Sequence, residues 1–142
     1  MLSILALTAP VKMMERSLFS ARYCFVENLH KSGKLADFDF QVLNEWYDWI
    51  MDNQKVNVDL IVYLRSTPET CLNRMIKRSR TEEAGVPLEY LESLHELHED
   101  WLIRKKFAYP TAPVLIMDAD KELEEFKQDI EEQAPQILNC RL

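Results

Sequence analysis

Asp59-Leu-Ile-Val-Tyr-Leu-Arg-Ser-Thr-Pro-Glu69 is the stretch that decides the fold. From Val56 to Leu64 the chain is nearly continuous in apolar residues, the pattern of a strand covered on both faces in a parallel sheet. Ser66-Thr67-Pro68-Glu69 then reads as a helix start: a hydroxyl N-cap, proline in the first turn, and an acid at the positive helix end. A strand that feeds straight into a helix is the repeating unit of parallel α/β architecture. Downstream, the helix carries Arg74, Lys77, Arg78 and Arg80 and breaks at Thr81-Glu82-Glu83-Ala84-Gly85. Pro87 opens a long helix to about Ile103, with Leu88, Leu91, Leu94, Leu97 or His98, Trp101 and Leu102 at a 3.6-residue period. Pro110 to Pro113 punctuates, Val114 to Met117 is a last short strand, and Lys121 to Glu132 a final acidic helix.

Upstream, a helix is predicted from about Phe40 to Met51, with Val42, Leu43, Trp46 and Ile50 on one face and Trp49 beside them. Before it, Leu18, Ala21, Phe25 and Leu29 recur at helical spacing from Ser17, and Ser32-Gly33 supplies a stop. Val11 to Met14 is a short apolar run predicted as a strand. The chain is thus α/β with three parallel strands and flanking helices. Sheets average five or six strands, so three covered strands read as part of a sheet; a small complete three-strand domain is the alternative.

The 142 residues are 47% hydrophobic and 29% charged, enough for a core and too few apolar runs for a membrane protein. Met1 to Leu7, the longest apolar stretch, falls far short of the roughly 20 residues of a membrane helix. No secretory leader is evident. Acidic residues outnumber basic ones by 24 to 17, for a net charge of −7, which argues against nucleic acid or anionic membrane as a partner. Cys24, Cys71 and Cys140 are far apart and odd in number; they read as free thiols of an intracellular protein, the first two buried. There are two glycines, Gly33 and Gly85. Neither a Rossmann fingerprint nor a Walker A loop can be built from them.

Ligands of open parallel sheets bind beyond the carboxyl ends of the strands, and two constellations fall there. Glu15-Arg16-Ser17 follows the first strand: an acid and a guanidinium fork can hold a phosphate, a metal-bound water or a hydroxyl, or form an ordinary surface pair at a helix start. Arg74, Lys77, Arg78 and Arg80 lie beside a breakable helix end, with Arg74 and Arg78 on one face. That suits a lid over a polyphosphate; the plain alternative is a solvated basic face balanced by Glu82 and Glu83. Two decoys are set aside. Asn28-Leu-His-Lys-Ser-Gly33-Lys34-Leu35 has the Gly-Lys of a phosphate loop, but Asn and Leu stand where glycine and a hydroxyl belong, and it follows a helix. Glu92-Ser-Leu-His95-Glu-Leu-His98-Glu99 places His and Glu at helical spacing, yet one helix supplies every ligand, so packed or capping histidines are expected.

Several separate blocks, in order and spacing, closely resemble the deoxyribonucleoside kinases over about residues 10 to 120. These are Met14-Glu-Arg-Ser-Leu-Phe-Ser-Ala-Arg-Tyr-Cys-Phe-Val-Glu-Asn28, Glu45-Trp-Tyr-Asp-Trp49, Val58-Asp-Leu-Ile-Val-Tyr-Leu-Arg65, and Glu82-Glu-Ala-Gly-Val-Pro-Leu-Glu-Tyr-Leu-Glu92 through His95-Glu-Leu-His-Glu-Asp-Trp101. The resemblance implies a P-loop kinase-like fold, usually a homodimer, that transfers the γ-phosphate of ATP, with Mg2+, to the 5′-hydroxyl of a deoxynucleoside. By position, Arg16 would contact the 5′-oxygen and incoming phosphate, and Glu15 would organise magnesium through water. Phe25 would stack on the base, and Ala21, where a cytidine- and purine-accepting relative carries an acid, implies a pyrimidine preference. Glu83 would accept the 3′-hydroxyl, Arg74, Arg78 and Arg80 would form the lid, and Lys121-Glu122-Leu123 would lie by the adenine.

Family members begin with a strand and a glycine-rich phosphate loop, then a strand carrying the carboxylate general base. These 142 residues contain neither, and Met1 to Pro10 matches no identified motif. The absent first strand belongs mid-sheet, between Val11–Met14 and Val58–Leu64. Its loss leaves ladder groups unpaired at about 1–3 kcal/mol per buried group, although Met1 to Leu7 is apolar enough to serve as a surrogate strand. The expectation is a single kinase-type domain, the carboxy-terminal two-thirds of one, weak or inactive alone. Mitochondrion and cytoplasm are not separated by the sequence. The competing expectations are a non-catalytic partner that dimerises with an intact kinase and, far behind, a helical metal protein using His95 and His98.

Overall fold

The computed structural model describes residues 11–139 apart from Ala84 and Tyr109. The stretch Met1 to Pro10 and Cys140 lie outside the described residues. Helix α1 starts as Leu18–Ser20, widens to a π-helical turn over Ala21–Val26 and returns to α form over Glu27–Lys31. It is followed by α2 (Asp37–Asn53), β1 (Ile61–Arg65), α3 (Pro68–Arg78), a 3-10 turn (Thr81–Glu83) and α4 (Leu88–His98), which runs on as a second π-helical turn, Glu99–Ile103. The chain closes with β2 (Val114–Asp118) and α5 (Leu123–Asn139).

β1 and β2 form a parallel two-stranded sheet in the register Ile61↔Val114 to Arg65↔Asp118. Helices flank it, the α/β class expected. The number of strands is corrected: Val11 to Met14 makes no strand. A strand exists only through its ladder, and no strand among the described residues pairs with this run. β1 is likewise shorter than the apolar run. Pairing starts where Ile61 N–H donates to the Pro113 carbonyl at 3.0 Å, and Pro113, having no N–H, cannot extend the ladder backwards. The helix start read at Ser66–Glu69 is observed: Thr67 caps α3 through its side chain, with Pro68 in the first turn.

The core is aromatic. Phe19, Tyr23, Cys24, Tyr47, Tyr63, Leu97, Trp101 and Leu102 form one buried cluster where α1 and α4 cover the sheet. Tyr23 and Tyr47 satisfy each other's hydroxyls at 2.8 Å, and Tyr23 stacks on Phe107 at 4.5 Å. Burial drives the Cys24 thiol up to about 12, so it stays protonated; Cys71 is only half-buried.

Two predicted faces are corrected. On α1 the buried residues are Phe19, Ser20, Tyr23, Cys24 and Asn28, whereas Ala21 and Leu29 are exposed and Leu18 and Phe25 half-buried. The π-helical turn, bonded i to i+5, rotates the face away from a 3.6-residue count. On α2 only Tyr47 is buried; Val42, Leu43, Trp46 and Trp49 are exposed, the last two meeting edge to face at 5.9 Å. Among the described residues no helix is long and apolar enough to cross a membrane.

Candidate functional site

The first constellation is built on α1. Ser17 caps the helix by a reciprocal pair with Ser20: each backbone N–H donates to the other's hydroxyl, at 2.9 and 3.3 Å. Just before this cap, Arg16 takes a left-handed backbone, φ 61°, uncommon for a residue with a Cβ. Its guanidinium lies 4.5 Å from the centre of the Phe25 ring, a cation–π contact between the two residues singled out for 5′-oxygen and base. Ala21 lies exposed one helical turn away, and Glu15 is exposed.

Behind Phe25 stands a network the sequence reading missed. His98 meets the Phe25 ring edge-on at 6.4 Å and stacks on Tyr63 at 6.1 Å. Its Nδ1 donates to the Leu94 carbonyl at 2.7 Å, which leaves Nε2 without a proton in the neutral ring. Burial holds this imidazole below its ordinary value, only partly opposed by the Leu94 carbonyl. The Tyr63 hydroxyl donates to Glu99 Oε1 at 3.0 Å, and Arg65 grips the same carboxylate with Nε and Nη2 at 2.9 and 2.8 Å. Burial pushes the Glu99 carboxyl up, but the bonds from Arg65 and Tyr63 outweigh it and the net movement is downward. His95 Nε2 stands 4.0 Å from Glu99 Oε1. The clue available in the sequence was an acid, Glu99, on the face of α4 that also carries Leu91, His95, His98 and Leu102.

The second constellation closes on itself. Arg78 Nη2 bonds both oxygens of Glu83 at 2.5 and 2.6 Å, and Arg80 Nη1 lies 3.7 Å from Oε1. α3 ends at Ser79 in the left-handed region, φ 52°, which turns the chain so that Glu83 faces back to Arg78. Arg74 Nη2 donates to the Lys121 carbonyl at 3.3 Å, so one arginine of the expected lid and the loop expected at the adenine are joined. Lys121 Nζ is held by Asp129 at 2.8 Å and Glu125 at 3.2 Å, and these bonds raise its pKa. Glu122 precedes α5 and Leu123 opens it, both exposed. Asp120, also missed, accepts from the Ser66 hydroxyl at 2.6 Å and the Thr67 N–H at 3.0 Å, tying the carboxyl ends of β1 and β2 together.

Arg16 with Phe25 thus forms one group, and Arg78, Arg80 and Glu83 another; no hydrogen bond or ion pair joins the two among the described residues. A surface cavity of about 340 Å³ lies elsewhere, at the amino ends of the strands, lined by Ile61, Trp101, Phe107 and Val114. The decoys resolve as packing and capping. Gly33, φ 70°, ends α1, its N–H bonding to the His30 carbonyl at 2.9 Å. His95 and His98 serve Glu99 and the aromatic stack, and among the described residues no group of three or more His, Cys, Asp or Glu is arranged to hold a metal.

Comparison with known proteins follows the same lines. A family model described as deoxynucleoside kinase matches residues 2–140. Over 128 residues the chain is 53% identical to human "Thymidine kinase 2, mitochondrial", covering 90% of this chain and 48% of that protein. Mouse "Deoxycytidine kinase" is 39% identical over 137 residues, 92% of this chain and 53% of the relative. Chicken "Deoxycytidine kinase 2" is 39% identical over 127 residues, 84% and 47%. The chain spans about half the length of the curated relatives it matches. With the family model matching nearly its whole length, the chain belongs to the deoxynucleoside kinase family.

Proposed function

We propose that this chain carries the nucleoside-holding and lid-bearing parts of an ATP-dependent kinase acting on the 5′-hydroxyl of a pyrimidine deoxynucleoside, in nucleotide salvage. The observation that carries the reading is Arg16 seated on Phe25, a donor fork held beside a ring on which a base stacks. Phe25 takes the base face and Ala21 leaves room at its edge. Arg16 points donors at the 5′-oxygen, where charge develops during transfer. Glu83 accepts the sugar 3′-hydroxyl once Arg78 turns toward phosphate, and Arg74 and Arg80 add to the clamp. The Lys121-Glu122-Leu123 loop, already bonded to Arg74, borders the adenine.

ATP fits the donor set: of three guanidiniums on and just after α3, Arg78 and Arg80 share the Glu83 carboxylate and Arg74 bonds a backbone carbonyl, leaving positive charge to spare. Magnesium fits more narrowly. A phosphate-bound Mg2+ needs only one or two carboxylates, and exposed Glu15 is such a group; when bound, the ion neutralises charge on the β- and γ-oxygens. The phosphate cradle and a carboxylate base for the hydroxyl proton are not among these 142 residues, so this chain alone transfers phosphate slowly. Homodimer formation, as the family resemblance implies, belongs to the same reading and is measured by light scattering.

The test is calorimetric binding of thymidine and deoxycytidine to the purified chain, with a radiolabelled ATP transfer assay alongside. Micromolar nucleoside binding lost in Arg16→Ala and Phe25→Ala supports the reading. No binding, with a folded chain, refutes it and favours a purely regulatory subunit, recognised by co-purification with an intact kinase and a changed turnover of that enzyme. Transfer at a rate near that of full-length relatives refutes the low activity.

A further inference from the structure

We propose that Glu99 is a positioning residue for the nucleoside site: through Tyr63 and His98 it sets the plane of Phe25 and with it the seat of the Arg16 guanidinium. The inference rests on the nucleoside reading above and deepens it with residues to which that reading gives no role.

Glu99 is 5% exposed, on a helix face it shares with His95 and His98. If it served only to hold the fold, an apolar side chain of similar volume would do as well. Of the groups that face it, Arg65, His95 and Tyr63, it is Tyr63 that leads on toward Phe25. Arg65, at the carboxyl end of β1, fixes both carboxylate oxygens, and Oε1 also takes the Tyr63 hydroxyl. That anchors the Tyr63 ring, which lies within 9° of parallel to His98. His98 is fixed a second time by its Nδ1 bond to Leu94, so it presents a fixed imidazole to Phe25 at 86°. Phe25 in turn carries Arg16, whose left-handed backbone is outside α1 and whose guanidinium has this ring contact to place it. Glu99 and Phe25 both sit in π-helical turns, the local distortions that re-aim side chains at functional sites.

The experiment uses the 142-residue chain. Glu99→Gln keeps the volume and an acceptor for Tyr63 but removes the charge that Arg65 grips. Tyr63→Phe, the milder change, removes only the hydroxyl. Asp100→Asn, whose carboxylate faces Arg104 and Lys106 instead, is the control. Ring resonances of His98 and Phe25 are followed by NMR, and thymidine affinity by calorimetry. Both test substitutions should shift the two rings and weaken thymidine by about 5-fold or more, while the control does neither. In a Phe25→Leu background neither should weaken binding further, the non-additivity of residues acting through one another. Unmoved rings, or losses that persist undiminished in that background, overturn the proposal even with normal thymidine binding. Failure of the unsubstituted chain to bind thymidine overturns the nucleoside reading itself, and this role with it.

Discussion

Glu83→Gln separates the structural and the functional weight of one carboxylate. In the free chain Glu83 is tied to Arg78 and Arg80, with the Arg78 side chain 48% and the Glu83 side chain 21% exposed. Ion pairs at such exposure contribute about 0–1 kcal/mol, so the substitution should lower Tm by less than about 4 °C in a chain of this size. A sugar hydroxyl that donates to a carboxylate is a different case, worth roughly 1.5–3 kcal/mol, or about 10- to 150-fold in affinity. The assay is therefore a pair of titrations, thymidine and its 3′-deoxy analogue, against the unsubstituted chain and the Glu83→Gln variant, with thermal melts as the stability control. Thymidine should lose about 10-fold or more, while the analogue, having no 3′-hydroxyl, should bind both chains equally. Equal losses for the two ligands would refute the assignment of Glu83 to the sugar, and a Tm drop far beyond about 4 °C would show that the ion pair is structural.

Further outcomes are open to direct measurement. Phe19 is 1% exposed in the core, so Phe19→Ala should cost about 3–5 kcal/mol, a large share of a domain's usual stability of roughly 5–15 kcal/mol, read from urea unfolding. His98 is held below its ordinary 6.5 chiefly by burial, with His95 and Arg16 adding like charge and the Leu94 carbonyl and Glu99 opposing. The unfolded chain therefore takes up the proton first, and stability should fall as pH drops below about 6.5 until the folded imidazole also titrates. His98→Gln should flatten that part of the urea-midpoint profile, and an unchanged slope would place the loss on other groups. Trp46 and Trp49 are 60% and 51% exposed and Trp101 7%, so acrylamide should quench most of the tryptophan emission readily and leave a protected fraction that Trp101→Phe abolishes.

What the sequence made legible was what depends on neighbours in the chain. The strand at Ile61–Arg65, the capped start of α3 and the apolar stripe of α4 are all local matters of period, capping and turn chemistry, whereas α3 ends before Arg80, at Arg78, where Ser79 turns left-handed. What it hid depends on distant partners. Val11 to Met14 has the composition of a strand, yet pairing cannot be read from composition. The buried face of α1 was misjudged because a π-helical turn follows from tertiary packing, and that error concealed a useful fact. The face of Leu18, Ala21 and Phe25 is left half-open, as a wall that meets a ligand must be. Glu99, Tyr63 and Arg65 escaped notice because they come together from a strand and a helix more than thirty residues apart.

The pairing of the candidate cations says how the two ligands would influence one another. Arg78 and Arg80 share the single carboxylate of Glu83, and Arg74 spends one donor on a carbonyl and has no ion pair among the described residues. Arg74, Lys77, Arg78 and Arg80 against Glu82 and Glu83 leave a local positive excess on a chain whose net charge is −7. On the proposed reading a polyphosphate, with several charged oxygens, would outcompete one carboxylate for Arg78. Glu83, once released, would on the same reading be the acceptor for the sugar hydroxyl. The bond that one ligand would break is then the bond the other would also have to break, and whichever bound first would remove that cost for the second. Coupling of this kind is reciprocal by necessity: if the triphosphate favours the nucleoside through Glu83, the nucleoside favours the triphosphate by the same factor, and Arg78→Ala, which opens the pair in advance, should erase the coupling from both directions at once.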